Sequence, residues 1–312
     1  MKPEVEKILH GDQLAGSRLI SLLEERDPRG IEMLKTIYPH INNAFLIGIT
    51  GPAGAGKSTL VSRMISCLRG RGLRVGVVAV DPSSPLSGGA LLGDRIRMKG
   101  HETDPGVFIR SMAARGQAGG VSRATREAAQ VMDAMGCQVV LIETVGIGQG
   151  EVAVSSCVHT TAVVSIPGMG DEIQAMKAGV LEIGDLFVVN KADRPGADEL
   201  VQTLESMLAI RSYPPGEWRP SVIRTVALKN EGIDRLIDLL FEHRRHLESN
   251  GRLAERLARN EFHFFRQLVL DMAATVLLKD SPELTSLQKD LTHRAIDPYT
   301  AAEKFLKKRL PT

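Results

Sequence analysis

The chain has 312 residues, and its 39 Lys and Arg nearly balance its 37 Asp and Glu, so the formal net charge is +2 at pH 7. Such a balance argues against a nucleic-acid-binding protein, which normally carries a clear positive excess. Aromatic residues make up only 4% of the chain, which leaves little material for a surface on which single-stranded bases could stack. The length suits one large domain with additions.

The three cysteines, Cys67, Cys137 and Cys157, lie far apart and form no C-x-x-C pair. Their spacing argues against a disulfide framework and a thiolate zinc site, and it suits a reducing compartment. No stretch approaches the roughly 18 apolar residues of a membrane span. The N-terminal stretch contains several acidic residues, which neither secretory nor transit peptides favour. We therefore expect a cytoplasmic protein without a membrane partner.

Residues 1–43 are predicted to form short helices. Asp12 precedes one apolar-faced segment, and Asp27 followed by Pro28 is a helix cap with proline at the first helical position. No alternating or continuous apolar pattern of a strand occurs in this part of the sequence. We interpret it as an N-terminal helical extension.

From residue 44 to residue 246, short apolar runs alternate with segments of helical length. Continuous Val, Ile and Leu runs of this kind are typical of buried strands in a mostly parallel sheet with helices on both faces. The predicted strands are 44–50, 74–80, 107–110, 137–143, 161–166, 186–190 and 222–227. The predicted helices are 57–69, 122–135, 171–183, 197–208 and 232–246. This pattern predicts an α/β fold.

Residues 247–312 show no strand pattern. One long helix is predicted over 252–279, and Ser281 and Asp297 are followed by prolines that begin two more helices. The apolar side of the long helix, which carries Phe262, Phe264, Phe265 and Leu268, has two interpretations. It packs on the preceding domain, or it is buried against a second copy of the chain. We favour a homodimer formed by this C-terminal arm.

The first predicted strand runs directly into Gly51-Pro-Ala-Gly-Ala-Gly-Lys57-Ser58, and a helix follows. This is the phosphate-binding loop (P-loop) pattern G-x-x-x-x-G-K-S in its required strand–loop–helix context. The glycines let backbone N–H groups surround phosphates at the positive end of the helix. Lys57 is expected to reach the β- and γ-phosphate oxygens, and Ser58 to bind Mg²⁺. The predicted nucleotide-binding residues here are Gly51, Ala53, Gly54, Ala55, Gly56, Lys57, Ser58 and Thr59.

Asn190-Lys191-Ala192-Asp193 follows a later strand. The Asp193 carboxylate can accept from both N1–H and the 2-amino group of guanine, whereas adenine offers neither donor. An unpaired buried acceptor costs about 1–3 kcal/mol, and more when charged, so this position selects guanine. Lys191 can cover the base plane and Asn190 can brace the loop. A backbone N–H at Ala227 or Leu228 is expected to meet the guanine O6.

Three acids stand at strand ends or in glycine-rich loops around the P-loop. Asp81, Asp94 and Glu143 are predicted to surround Mg²⁺ and the attacking water, because ligands bind at the carboxyl ends of parallel strands. Asp81 is the expected water-orienting group. The Gly146 N–H is expected to sense the γ-phosphate.

A further glycine-rich segment, 167–172, ends in Asp171 and Glu172 and is followed by Lys177. It suggests a third mobile segment, with Lys177 as a candidate catalytic residue. The plain alternative is a helix cap at Asp171 and a surface lysine. Gln149 and Glu151 either position the attacking water or belong to a solvated loop.

Taken together, these motifs resemble the MeaB/ArgK family. Those proteins are GTPase chaperones of adenosylcobalamin-dependent methylmalonyl-CoA mutase. The resemblance covers nearly the whole chain and rests on motifs in the family's order: G-P-A-G-A-G-K-S-T at 51–59, V-D-P-S-S at 80–84, G-D-R-I-R-M at 93–98, E-T-V-G-I-G-Q at 143–149, G-M-G-D-E at 168–172 and N-K-A-D at 190–193.

The resemblance implies a P-loop NTPase G domain over residues 44–246, flanked by helical extensions at 1–43 and 247–312. It implies GTP or GDP with Mg²⁺ as nucleotide and cofactor, and an adenosylcobalamin-dependent acyl-CoA mutase as partner, methylmalonyl-CoA mutase before others. The segment around Lys177 would be the switch that couples to the mutase. An arginine finger is not evident, and Arg95, Arg97 and Arg115 are candidates without support.

Three other functions fit the sequence less well. A nickel-delivery GTPase would need a His/Cys cluster, and the one close pair, His243 and His246, is expected on a solvated helix face. A protein kinase acting on amino-acid-binding transport proteins would use ATP, which the Asp193 box disfavours. A purely structural helical scaffold would leave the P-loop unexplained.

Overall fold

The computed structural model describes most of the chain. For Asp81 and Val180 it describes the backbone and not the side chain. The described residues are 2–41, 44–81, 100–101, 103–113, 123–144, 154–168, 180–279 and 281–309. The chain divides into two compact units, Met1–Leu257 and Ala258–Thr312. Among the helices so described, none is both long and apolar enough to cross a lipid bilayer.

The first unit contains a sheet whose seven described strands all run parallel to their neighbours. The strands are β1 Phe45–Thr50, β2 Val75–Asp81, β3 Val107–Ala113, β4 Val139–Glu143, β5 Thr160–Ser165, β6 Leu186–Asn190 and β7 Ser221–Thr225. Their spatial order is β3-β2-β4-β1-β5-β6-β7. In the centre, Ile47 of β1 is in register with Leu141 of β4 and Thr160 of β5. The predicted α/β class with a parallel sheet is therefore confirmed.

Helices cover both faces of this sheet. In the first unit they are α1 Lys2–Leu9, α2 Gln13–Glu24, α3 Pro28–Ile37, α4 Lys57–Gly70, α5 Arg123–Ala134, α6 Val180–Ile183, α7 Ala197–Ile210 and α8 Ile233–Ser249. Alternate residues of β2 point to opposite faces. Val77 packs in a core with α4 and α8, whereas Val78 packs in a core with α2, α3 and α5. Side chains of α7 form a third core with β5 and β6.

The predicted N-terminal helices are present and begin where their caps were expected. Asp12 accepts a hydrogen bond from the Ala15 N–H, and Asp27 caps the helix that starts at Pro28. Arg110 of β3 donates to Ser17, Ser21 and Glu24 of α2. The extension is therefore joined to the sheet both by apolar packing and by a charged contact at the edge strand.

The amino-terminal edge of the sheet carries a closed polar cluster centred on Asp185, which precedes β6. Its carboxylate accepts from the Thr161 N–H at 2.9 Å and from both Nη atoms of Arg256, at 2.9 and 3.0 Å. Arg256 also donates to the His159 carbonyl. Arg256 lies in the helix α9, Arg252–Leu277, close to its start.

Two buried histidines belong to the same cluster. His243 of α8 hydrogen-bonds through Nδ1 to Thr160 Oγ1 at 2.8 Å, and the Trp218 ring packs against it. Leu46 N–H donates to Nδ1 of His159 at 3.2 Å. Burial lowers the pKa of each imidazole to about 4. The expectation that His243 lies on a solvated face is wrong, because Trp218 and Asp185 come from remote parts of the chain and cover it.

The second unit, described by itself, is helical. It contains most of α9 together with α10 Pro282–Thr292 and α11 Pro298–Arg309. Ser281 accepts from the Leu284 N–H, and Asp297 accepts from the Tyr299 and Thr300 N–H groups, so both predicted caps are formed. The predicted domain boundaries at residues 43/44 and 246/247 stay predictions.

Candidate nucleotide-binding site

The seven described strands all end at one edge of the sheet, and the last residues of β1, β2, β4, β5 and β6 are Thr50, Asp81, Glu143, Ser165 and Asn190. Because the strands are parallel, the loops that follow them gather at this carboxyl edge. The P-loop follows β1, which is flanked by β4 and β5. The P-loop therefore lies at the centre of the sheet.

The P-loop backbone approaches neighbouring elements too closely for side chains at two glycines. Gly51 has a φ of 138°, and a Cβ there would stand 2.0 Å from the Val164 carbonyl oxygen. Gly56 has a φ of 84°, and a Cβ there would stand 2.6 Å from Asn190 Nδ2. Both positions require glycine, as the motif predicts. Ala53 and Gly54 are exposed, Ala55 is buried and Thr59 is half-buried.

Lys57 is the first residue of α4 and is buried. Its Nζ donates to the carbonyls of Gly51 at 2.8 Å and Pro52 at 3.0 Å. The ammonium is thus folded over the loop it belongs to. Phosphate oxygens are charged acceptors and bind an ammonium more strongly than neutral carbonyls do.

Ser58 and Glu143 meet behind the P-loop. Ser58 Oγ donates to Glu143 Oε1 at 2.7 Å, and both side chains are buried. A hydroxyl and a carboxylate are the oxygen donors that Mg²⁺ prefers, so the chemistry of this pair fits the predicted ion. Next to it, Thr144 Oγ1 donates to Thr50 Oγ1 at 3.0 Å and ties the end of β4 to the end of β1.

Several predicted site residues are not part of this geometry. Asp81 ends β2 at the expected edge, but its side chain is not described. The remainder lie outside the described residues: Asp94, Gly146, Lys177, Gln149, Glu151, Asp171, Glu172 and the arginines Arg95, Arg97 and Arg115.

Asn190 joins the phosphate loop to the loop after β7. Its Nδ2 donates to the Ala55 carbonyl at 2.9 Å. Its Oδ1 accepts from Thr225 Oγ1 and from the Ala227 N–H, each at 3.2 Å. Lys191 has a φ of 55°, and its Nζ donates to the Gly54 carbonyl at 2.7 Å. The structure therefore brings two of the predicted base-binding residues, Asn190 and Lys191, against the P-loop.

Asp193 is partly exposed and forms an ion pair with Lys229, whose Nζ lies 3.1 Å from Oδ2. The hydrogen bond from Lys229 lowers the pKa of Asp193. The predicted O6-binding residues Ala227 and Leu228 belong to a short 3₁₀ helix, Ala227–Lys229. Ala227 is buried, whereas the Leu228 side chain is exposed.

Two residues around this site were missed by the sequence analysis. Lys229 follows the predicted O6-binding pair directly, so its position could have been noticed. Arg63 lies two turns into α4 and donates to the carbonyls of Ala227 and Leu228. No motif marks that arginine, because the contact forms only when the loop after β7 folds against α4.

Comparison with known proteins gives consistent matches. The family model of the methylmalonyl Co-A mutase-associated GTPase MeaB matches residues 16–281. A Pyrococcus abyssi protein is 46% identical over 307 residues, 97% of this chain and 95% of that protein. The GTPase ArgK of Escherichia coli is 35% identical over 258 residues, 80% of this chain and 78% of that protein.

Two further matches concern a mammalian relative and a solved structure. The mitochondrial methylmalonic aciduria type A homolog of Mus musculus is 39% identical over 215 residues, 68% of this chain and 52% of that protein. The crystal structure of an LAO/AO transport system kinase matches with a TM-score of 0.74 at 26% identity, covering 97% of this chain and 95% of that one. The P-loop NTPase fold expected from the motifs is confirmed, and the chain belongs to the MeaB family and is a GTPase.

Proposed function

We propose that this GTPase is a chaperone of an adenosylcobalamin-dependent acyl-CoA mutase, with methylmalonyl-CoA mutase as the first candidate. The observation that carries the proposal is the match of residues 16–281 to the family named for association with that mutase. A relative named for methylmalonic aciduria supports the same partner. GTP hydrolysis would gate loading of the cofactor and protection of the mutase, most simply in the cytoplasm.

The nucleotide assigned to the site is GTP or GDP. Asp193 would accept from the guanine N1–H and 2-amino groups, Lys191 would cover the base, and a backbone N–H of the 3₁₀ turn would meet O6. Asn190 supports this assignment because its side chain hydrogen-bonds both to Ala55 of the P-loop and to Ala227 in the turn after β7. Glycines 51, 54 and 56 all have positive φ, which lets the loop curve around phosphates.

The proposed chemistry is in-line attack of water on the γ-phosphate, with catalysis by positioning and charge stabilisation. Lys57 would donate to phosphate oxygens instead of to the Gly51 and Pro52 carbonyls and would stabilise the charge that develops on the transferred group. Asp81, at the end of β2, would orient the water. Lys177 is a further candidate for a catalytic residue.

Ser58 and Glu143 would hold Mg²⁺, with Asp81 and Asp94 as further candidates and the Gly146 N–H on the γ-phosphate. Mg²⁺, when bound, neutralises charge on the phosphate oxygens. Since no finger arginine is assigned, turnover by the protein alone is expected to be slow. Docking of the mutase would order the switch segments and speed hydrolysis, so that GTP acts as a timer for the complex.

We also propose that residues 247–312 form a homodimerisation arm. Helix α9 carries a row of apolar side chains that are 46% to 71% exposed: Phe262, Phe265, Val269, Met272 and Val276. They are spaced alternately by three and four residues, which is the spacing of a seam between two helices. An exposed row of this size favours burial against another helix, and a second copy of the chain offers the same row.

The test of the main proposal is GTP turnover by the purified protein with Mg²⁺, measured with and without purified methylmalonyl-CoA mutase. We expect guanine-selective hydrolysis that the mutase accelerates, together with a complex on native gels. The absence of both binding and acceleration would reject the mutase as partner. Equal turnover of ATP would reject the guanine site, and transfer of the γ-phosphate to a protein acceptor would favour a kinase.

The dimer is tested by light scattering at micromolar concentration. The double variant Phe265→Glu and Met272→Glu places two charges in the row. Its measured mass should be that of a monomer instead of a dimer. Gln267→Glu adds a charge to the opposite, exposed face of the same helix and should leave the dimer intact. A monomer mass for the unchanged protein would contradict the proposal.

A further inference from the structure

Arg63 links the helix that starts at the phosphates to the turn that is expected to read the base. It lies on α4, six residues after Lys57, and is half-buried. Its Nε donates to the Ala227 carbonyl at 3.1 Å, and its Nη2 lies 3.5 Å from the Leu228 carbonyl oxygen. Among the described residues, Arg63 forms no ion pair with a carboxylate, so its guanidinium is directed at neutral carbonyls of this turn.

The backbone N–H groups of the turn are almost all used within the protein. Four of them donate to nearby oxygens: Val226 N to Glu231 O, Ala227 N to Asn190 Oδ1, Lys229 N to Val226 O and Asn230 N to Ala227 O. Across residues 226–230, only the Leu228 N–H has no acceptor among the described residues. It is therefore the donor of this turn that a ligand can engage without displacing an existing bond.

Arg63 acts directly on the peptide group that contains this donor. The Ala227 C=O and the Leu228 N–H belong to one planar trans peptide, so they point in opposite directions. A guanidinium that holds the oxygen fixes the direction of the N–H on the other side of the turn. Hydrogen bonding to a charged group also polarises the peptide and makes its N–H a stronger donor.

We infer that Arg63 is a positioning residue for guanine, which acts by fixing the Leu228 N–H as the donor to the base oxygen O6. The inference rests on the proposed guanine nucleotide site and refines it, because it selects Leu228 over Ala227 and adds a side chain from α4. Loss of the Arg63 donors should weaken the contact to O6 and leave the contacts of Asp193 with the guanine N1–H and 2-amino groups in place.

Calorimetric titration at pH 7 with GDP and with 6-thioguanosine diphosphate separates these contacts. The thio analogue keeps the N1–H and 2-amino groups that Asp193 recognises but replaces O6 with sulfur, a weak acceptor. For Arg63→Met, which keeps the aliphatic stem, we expect GDP affinity to fall by about tenfold, the effect of one charge-assisted hydrogen bond. Affinity for the thio analogue should change by less than about twofold, since its O6 contact is already lost.

Arg63→Lys keeps a cationic donor and should recover part of the GDP affinity. Arg71→Met is the matched control, because Arg71 follows α4 and pairs with Asp238 rather than with this turn, and it should bind both nucleotides as the unchanged protein does. Steady-state GTP hydrolysis by Arg63→Met should show a raised KM with a kcat within about twofold, since the γ-phosphate end of the site is untouched. Thermal unfolding confirms that each variant is folded.

The outcomes are distinguishable. If the unchanged protein binds GDP and Arg63→Met binds it equally well, the role of Arg63 is refuted while the guanine site stands. Equal weakening of GDP and the thio analogue would show that Arg63 only stabilises the loop and would also refute the inference. If the unchanged protein does not bind GDP, the proposed function itself fails.

Discussion

The two edges of the parallel sheet both concentrate polar side chains, but they pair them differently. At the amino edge, the charge of Arg256 is matched by the carboxylate of Asp185, which also accepts from the Thr161 N–H. At the carboxyl edge, Lys57 and Lys191 donate to backbone carbonyls of the P-loop. A phosphate can replace a carbonyl as the better acceptor, whereas it cannot improve on a bidentate carboxylate.

This difference separates a structural cluster from a candidate binding site on physical grounds. Substitutions at the amino edge should lower stability and leave nucleotide binding intact in the folded protein. Substitutions at the carboxyl edge should impair binding or hydrolysis and change stability little. A variant at either edge whose stability and nucleotide binding change together would break the distinction.

The largest effect is expected for Lys57→Met. Without the ammonium, charge on the transferred phosphate loses its main protein partner, and GTP hydrolysis should fall by a factor on the order of 10²–10³. The thermal unfolding temperature should stay close to that of the unchanged protein. Lys35→Met removes an exposed lysine that pairs with Glu32 and should alter neither property. Hydrolysis by Lys57→Met at the normal rate would contradict the assignment of the P-loop.

Arg256→Met should have the corresponding effect at the amino edge. It leaves the Asp185 carboxylate without its bidentate partner, and breaking a largely buried pair costs about 3 kcal/mol. Urea unfolding measures this loss, and GDP affinity of the folded variant should be unchanged. Arg252→Met is the control, since the Arg252 side chain is 42% exposed and lies 3.9 Å from Glu217; it should cost less than about 1 kcal/mol. Weaker GDP binding by Arg256→Met would show that the two edges are coupled.

Asp193→Asn should weaken GDP binding by about tenfold to a hundredfold, because an amide cannot accept from both guanine donors. The amide N–H₂ can instead donate to the 2-oxo group of xanthine, so xanthosine diphosphate should gain affinity. Asp198→Asn, an exposed change in the pair with Arg224, should leave both affinities unaltered. Calorimetry measures the affinity of each variant for the two nucleotides. An unchanged preference for guanine would show that Asp193 does not recognise the base.

The smallest effect concerns pH. Burial lowers the pKa of His243 to about 4, whereas the unfolded chain binds this proton near pH 6.5. The contribution of uncharged His243 to the free energy of unfolding is therefore complete above pH 6.5. It is lost as the pH falls toward 4, by about 1.4 kcal/mol per pH unit. Urea unfolding measures the free energy of unfolding between pH 6 and 4.5. Its slope against pH should be shallower by that amount for His243→Asn than for the unchanged protein. An unchanged slope for His243→Asn would contradict this prediction.

Much of the sheet could be predicted because its strands are continuous apolar runs buried on both faces. Strand β3 is the instructive exception, predicted over 107–110 and observed over Val107–Ala113. Arg110 and Ser111 interrupt the apolar run, so the sequence indicated an earlier end. The strand continues because Arg110 finds partners on α2, a contact between segments remote in the sequence.

The same limit applies to the polar residues of both edges. The P-loop and the box at 190–193 could be found because their local order alone indicates phosphate and base binding. Arg63 and Lys229 could not be assigned roles, since their partners lie far away in the sequence. His243 was misjudged for that reason: its surroundings are supplied by Asp185, Thr160 and Trp218.

The three hydrogen bonds of Asn190 have a thermodynamic consequence. They fix the separation between the P-loop and the loop after β7 before any nucleotide binds. These loops then lose little conformational entropy when a nucleotide binds. Because the distance between them is fixed, the site selects ligands by their length. Guanosine or pyrophosphate would each fill one end, and only a molecule that carries both groups one ribose apart can gain from both.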